Sequence, residues 1–398
     1  MKSQKIIVIG LGAMGSAAAA SLTRRGYNVV GFERHWRAHN LGSSHGDTRA
    51  IRKAYVREEQ YAPLVLEAYE LWRRLERESG AELLREIGGL VVAPAGGETL
   101  SRSIATADRY GIPYEVLDPA EVTSRWPTVL PPVGTAAFYE PSQSIMPPEK
   151  TVSTNIEIAI RNGAQLHFDT AVLSWDASPS GVTVQTAQGN CDADRLVLAG
   201  GAWLRQLVDL SLMPISVERL FQVWVEPDGS VHQFRVGNHP RWVFEDPQGR
   251  AAYAFPILEG ERAIKLAFTA GAPTDPDVVQ RDALPGEIAE LVGFMAQLIP
   301  AIKGKGASRV AACLSGKAPD DNFILGCHPA SSNVVVAGGF SSHGFKFVPV
   351  IGEILADLAT NGATSRDISL FEPSRFLRND LAGALHDVRR KCQSGAIK

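Results

Sequence analysis

The stretch KIIVIGLGAMGSAAAASLTRRGYNVVGFE, residues 5–33, decides the fold. Residues 5–9 (KIIVI) form a short β-branched run, and NVVGFE at 28–33 forms another. Between them the chain turns at GLGAMG and continues in small residues through Arg25, which predicts strand, tight turn, helix and strand. Gly10, Gly12 and Gly15 fall in a G-x-G-x-x-G pattern within that turn. The first glycine suits the tight turn, the second lets backbone approach a pyrophosphate, and the third lets helix pack on strand. The helix N-terminus then offers unpaired N–H groups and a positive dipole end to phosphate. Glu33 closes the second strand eighteen residues past Gly15, where a carboxylate accepts from ribose hydroxyls. An acid there favours a free 2′-hydroxyl, hence FAD or NAD over NADP. A glycine turn kept for packing alone leaves Glu33 unexplained.

The rest of the chain bears on the choice between FAD and NAD. A strand ending in glycines is predicted at 195–201 (RLVLAGG) and another at 334–339 (VVVAGG). Distant segments returning to one large cofactor point to FAD. Helices are predicted over 56–79, 284–301 and 351–360, the last stopped by Asn361-Gly362. Short strands are predicted through 164–187, and residues 219–268 are rich in β-formers broken by Gly and Pro. The length of 398 residues suggests two or three domains. The fold class expected is α/β (α+β), with a Rossmann-like FAD-binding domain and an inserted antiparallel-sheet substrate domain. The FAD domain is expected to be discontinuous, from 1–82, 146–214 and 310–398, with 83–145 and 215–309 forming the substrate domain.

Composition excludes several other classes. Net charge is −3, against the strongly basic footprint of a nucleic-acid binder. Cys191, Cys313, Cys327 and Cys392 make neither a disulfide framework nor a zinc pattern. No stretch approaches the ~20 apolar residues of a membrane span. The N-terminal run loosely mimics a signal peptide, but the glycine pattern accounts for it better. A soluble, cytoplasmic protein is expected.

Four further segments resemble monomeric sarcosine oxidase and N-methyltryptophan oxidase. They are GSSHGDTRAIRKAY at 42–55, GGFSSHGFKF at 338–347, Cys313 fifteen residues before His328-Pro329, and Lys265 within AIKLAF. Together with the fingerprint they run in family order from Lys5 to about Phe371. The resemblance implies a flavin amine oxidase that takes a carboxylated secondary amine and molecular oxygen and works as a monomer. It implies that FAD contacts Gly10, Gly12, Gly15, Glu33, Ser43, His45, Gly46, Arg49, Val172, Gly200, Gly338, Gly339, Gly344 and Lys346. It also implies a covalent FAD bond through Cys313, which otherwise reads as a small buried apolar residue. Such a bond needs a thiolate near cations, and His45, Arg49 and Arg52 are candidates to supply them. The other three cysteines receive no role.

The resemblance further assigns catalysis to Lys265, His343 and Arg49, and substrate binding to Arg52, Lys346, Tyr253, Ser315 and Thr269. An Arg fork suits a carboxylate bidentately. Taken without the resemblance, Arg49 and Arg52 at i, i+3 read as a solvated helix face. Lys265 reads as either an edge-strand charge or a functional buried cation, and His343 as a satisfied structural histidine. Sarcosine oxidases carry a tyrosine two residues after the flavin cysteine and a histidine four after the lysine. Ser315 and Thr269 stand there instead, so a pocket roomier than one for sarcosine is expected. N-methyl amino acids or cyclic, pipecolate-like imino acids fit it. Two other readings use the same fold: a flavin amine dehydrogenase with a non-oxygen acceptor, and a non-catalytic protein that binds FAD or an amino acid. The joint presence of Cys313, Lys265 and Arg52 disfavours the last.

Overall fold

The computed structural model describes residues 4–377. Cys392 and the end of the segment expected at 310–398 lie outside the described residues. The quoted stretch folds as strand Lys5–Ile9, helix Ala13–Arg24 and strand Asn28–Phe32. The two strands pair in parallel, Lys5 against Asn28 through Ile9 against Phe32. They sit inside a six-stranded sheet ordered Ile324–His328, Ser331–Gly338, Arg195–Leu198, Lys5–Ile9, Asn28–Phe32, Gln165–His167. All neighbours there are parallel except the first pair. Strands buried on both faces read as continuous apolar runs, which is why KIIVI, RLVL and VVVAG lack alternation.

One face of this sheet carries helices Ala13–Arg24, Pro148–Arg161 and Val348–Asn361. The alanine tract of the first lets the last come very close. A Cβ at Gly352 would meet Ala17 backbone at 2.8 Å. The other face is covered by a three-stranded antiparallel sheet, Val172–Ser178, Gly181–Thr186 and Gly189–Ala193.

The second large sheet has nine strands. Its spine runs Ser216–Val225, Ile264–Phe268, Ala251–Phe255, Arg241–Glu245, Gly89–Pro94, Thr135–Glu140. It is antiparallel apart from the parallel pair Arg241–Glu245 and Gly89–Pro94. Strand Arg309–Lys317 pairs along its whole length with Ser216–Val225. This sheet therefore reaches past residue 310, and the strand bearing Cys313 lies on it.

Two helices are shorter than the periodicity predicts, and proline explains both. The helix expected from 56 starts at Tyr61, which leaves Pro63 in its first turn, where no N–H is needed. The helix expected over 284–301 covers Pro285–Met295, and a 3-10 turn at Pro300–Ile302 follows. The helical spacing of Arg49 and Arg52 is also corrected. Arg49–Ile51 is a strand paired with Ser144–Met146, so the two arginines do not stack on one helix face. Among the described residues no helix is long and apolar enough to cross a membrane.

Candidate active site

A cavity of about 760 Å³ runs between the two sheets, from Gly10 and Glu33 past Ser43 and Cys313 to Arg52 and Lys346. At its first end the glycines divide the labour the fingerprint predicts. Gly10 has φ +84°, and a Cβ on Gly15 would lie 1.8 Å from the Gly10 carbonyl oxygen. Both are fixed by packing. A Cβ on Gly12 would meet nothing nearer than Ser44 Oγ at 3.9 Å. That open space faces the N-terminus of helix Ala13–Arg24, where Gly12 supplies no side-chain cap and Ala13 N–H donates to Ser44 Oγ at 3.3 Å, which suits a pyrophosphate. Glu33 is buried and accepts from the N–H of Leu11 at 2.8 Å and of His35 at 3.1 Å. Burial works to raise its pKa, but His39 and those two N–H groups hold the carboxyl below its ordinary value. An ionised acid beside a glycine turn at a helix N-terminus fits the ribose and diphosphate of FAD.

At the centre of the cavity Cys313 is buried, with Sγ 3.3 Å from His45 Nε2 and 3.5 Å from an Arg49 guanidinium nitrogen. The Gln222 amide also donates to this sulfur. Burial would raise the thiol pKa, yet Arg49, then His45, then Lys265 bring it down to about 7. The loop carrying His45 and Arg49 is pinned to the cysteine strand: Leu314 N–H donates to the Gly42 carbonyl at 3.1 Å, and Ser43 Oγ donates to the Leu314 carbonyl. Gly46 N–H donates to Glu149 Oε1 at 2.5 Å.

Lys265 is buried behind this loop and does not line the cavity. Its Nζ donates to the carbonyls of Gly46 and Thr48, each at 2.7 Å. It lies 4.7 Å from the Phe255 ring centroid and 5.7 Å from that of Trp224. Burial and then Arg49 push its pKa well below the ordinary lysine value. Lys265 therefore lies in the interior and is not an edge-strand charge.

The far end holds the cations. Arg52 and Lys346 both line the cavity, and Nη1 of Arg52 is buried with no hydrogen-bond partner among the described residues. Lys346 Nζ donates to the His343 carbonyl at 2.8 Å and sits 5.1 Å over the Tyr55 ring. Burial, then Arg52, Arg241 and Arg57, push the Lys346 pKa well below its ordinary value.

His343 lines the cavity, but both its nitrogens are engaged. Nδ1 is 2.6 Å from the Tyr55 hydroxyl and Nε2 is 3.0 Å from the Asp321 carbonyl. A carbonyl can only accept, so the network assigns the proton to Nε2 and Tyr55 as donor to Nδ1. The ring stacks on Phe323 with centroids 4.7 Å apart. Tyr253, Ser315, Thr269, Val172, Gly200, Gly338, Gly339 and Gly344 all line the cavity, and Ser342 donates to Ser315 Oγ at 2.8 Å. His45 and Gly46 lie behind its wall.

Sequence reasoning missed Gln222, Arg241 and Tyr55. Gln222 is diagonal to Cys313 across two strands, because Leu220 is the residue directly opposite the cysteine. Tyr55 lies in the quoted segment 42–55, and its aromatic hydroxyl was the available signal. Arg241 had no signal in its neighbours.

A family model described as FAD dependent oxidoreductase matches residues 5–358. The chain belongs to this family of FAD-dependent oxidoreductases. The family and the relatives below together make it an FAD-dependent amine oxidase acting on CH–NH groups. This oxidase is similar to monomeric sarcosine oxidase from Streptomyces avermitilis, 39% identical over 374 residues that span 93% of this chain and 97% of the relative. It is also similar to N-methyl-L-tryptophan oxidase from Salmonella enteritidis PT4, 32% identical over 375 residues, 93% and 98% of the two chains. Among solved structures the oxidase matches NikD, an amino acid oxidase of nikkomycin biosynthesis, with TM-score 0.81 and 26% identity over 94% of this chain and 98% of that one.

Proposed function

We propose that the protein oxidises the C–N bond of secondary amino acids bulkier than sarcosine, N-methyl or cyclic, and reduces oxygen to hydrogen peroxide. The observation that carries this is Arg52, a cavity-lining arginine whose buried Nη1 lacks a partner beside Lys346. A buried unpaired guanidinium is costly, and a planar carboxylate answers it bidentately. FAD, when bound, supplies the two-electron acceptor for the amine and the donor for oxygen.

The chain's own residues do the rest. Arg52 and Lys346 hold the carboxylate, which orients the amine and its carbon within the cavity. Tyr253, Ser315 and Thr269 border the space for the side group, and the small last two leave it wide. Cys313, its thiol lowered by Arg49 and His45, is the residue that would attach FAD covalently. Lys265 presents a fixed cation from behind the loop, where negative charge developing on oxygen is stabilised. His343, neutral and engaged on both nitrogens, fixes Tyr55 and the Lys346 loop, and a general-base role does not suit it. The name of the Streptomyces relative supports a monomer.

Arg52→Gln tests the reading. Removing a charged partner of the carboxylate should raise KM for an N-methyl amino acid by ~10–100-fold with kcat much less affected. An unchanged KM would remove the carboxylate assignment.

A further inference from the structure

Arg241 has no part in the reading above, yet its side chain lines the same cavity as Arg52 and Lys346. It starts strand Arg241–Glu245, in parallel register with Gly89 on the neighbouring strand. Among the described residues its one polar contact is neutral: Nη1 donates to Gln143 Oε1 at 3.2 Å. Its Nε is buried and has no partner, like Nη1 of Arg52. Burial and then the charge of Arg52 lower its pKa to about 9, a sign of cations crowded without an anion between them.

The surrounding charges do not close. Arg52, Arg57, Arg241 and Lys346 line this end of the cavity. Glu140 and Glu245 are the acids whose charges act on Arg52. Glu140 is fully buried and committed to the N–H groups of Lys53 at 2.9 Å and Ala54 at 3.1 Å and to the Ser142 hydroxyl. Glu245 accepts from Thr99 at 2.8 Å. Neither Arg52 nor Arg241 has a carboxylate partner among the described residues. In the reading above the substrate carboxylate is held by Arg52 and Lys346, which leaves Arg241 without an anion.

We propose that Arg241 forms a second anion subsite, and that the preferred substrate is a secondary amino acid whose side chain ends in a carboxylate. The inference rests on Arg52 and Lys346 holding the α-carboxylate. The side-chain carboxylate then reaches the Nε face of Arg241 within the same cavity. Arg241 thereby sets specificity and takes no part in the redox step.

The test is calorimetric titration of the holoenzyme with glutarate and with its monoamide, glutaramate. Both lack an amine and are not oxidised, and they differ by one charge at constant shape. Glutarate should bind ~10–100-fold more tightly. Arg241→Gln should abolish that preference and leave glutaramate affinity unchanged. Equal affinities in the wild type would overturn the proposal while leaving the carboxylate site of Arg52 and Lys346 intact. Arg241→Gln weakening both ligands alike would assign Arg241 a structural role and also overturn it. Binding of neither ligand would remove the Arg52 reading and this one together. Should Arg241→Gln lose its flavin, the wild-type comparison still decides.

Discussion

The sulfur of Cys313 and Nε2 of His45 lie 3.3 Å apart, although 268 residues of chain separate them. Neither position is special alone. His45 sits in a loop after the second strand of the nucleotide sheet, and Cys313 in a strand of the other sheet. The contact exists because Leu314 and Gly42 hydrogen-bond backbone to backbone and clamp loop to strand.

This pairing makes the thiol acidic. In apoprotein produced under flavin limitation, thiolate absorbance of Cys313 should titrate with a midpoint near 7 instead of the ordinary 9. Arg49→Gln should move the midpoint upward, since Arg49 is the largest favourable influence on the thiolate. A wild-type midpoint near 9 would contradict the site. In the holoenzyme, acid precipitation should leave yellow colour with the pellet, and Cys313→Ser should release it to the supernatant.

Lys265 makes a separate prediction. Trp224, Lys265 and Phe255 are cross-strand neighbours on three adjacent strands, which cages the ammonium between two rings. Lys265→Met should slow reoxidation by oxygen at least ~10-fold in stopped flow, with anaerobic reduction by substrate changed much less. A smaller effect on the oxygen step sinks the role.

Two glycines three residues apart should fail in different ways. Gly15→Ala drives a Cβ into the Gly10 carbonyl, so the chain should lose its fold and its soluble expression. Gly12→Ala meets no protein atom closer than 3.9 Å, so the apoprotein should fold with near-normal melting but bind little flavin. Normal flavin content in Gly12→Ala would show that no phosphate approaches this turn.

Glu33 should contribute a pH-dependent stability. Its folded pKa lies below the ordinary value of 4.5, so its contribution is complete above that value and lost as pH falls through the folded pKa. Glu33→Gln should therefore lower the melting temperature at neutral pH, by ~1–3 kcal/mol in stability, because the N–H groups of Leu11 and His35 lose a charged acceptor. The gap to wild type should narrow in acid. A gap that widened in acid would mean that the carboxyl is protonated in the native state.

What the sequence disclosed follows from how local each feature is. The strand, glycine turn, helix and Glu33 lie within 29 contiguous residues, so pattern and spacing suffice to read them. Arg52 and Lys346 were reachable only through resemblance, because nothing in RAIRKAY distinguishes a buried arginine from a solvated one. Helical spacing even suggested the wrong face, since pairing with Ser144–Met146, nearly a hundred residues away, extends that segment. Gln222 and Arg241 were invisible because they matter through strand register. Gln222 reaches Cys313 diagonally across a pair set by nine residues of pairing, and Arg241 meets its neighbours across a parallel contact that no turn announces.

Simultaneous recording of oxygen consumption and peroxide formation with N-methyl and cyclic amino acids decides whether this is a secondary-amine oxidase. One peroxide per oxygen should appear with substrates that keep a carboxylate and a secondary amine, and primary-amine counterparts should be poor. Reduction of the flavin by these amines with no oxygen uptake, or no reaction with any carboxylated secondary amine, would contradict it.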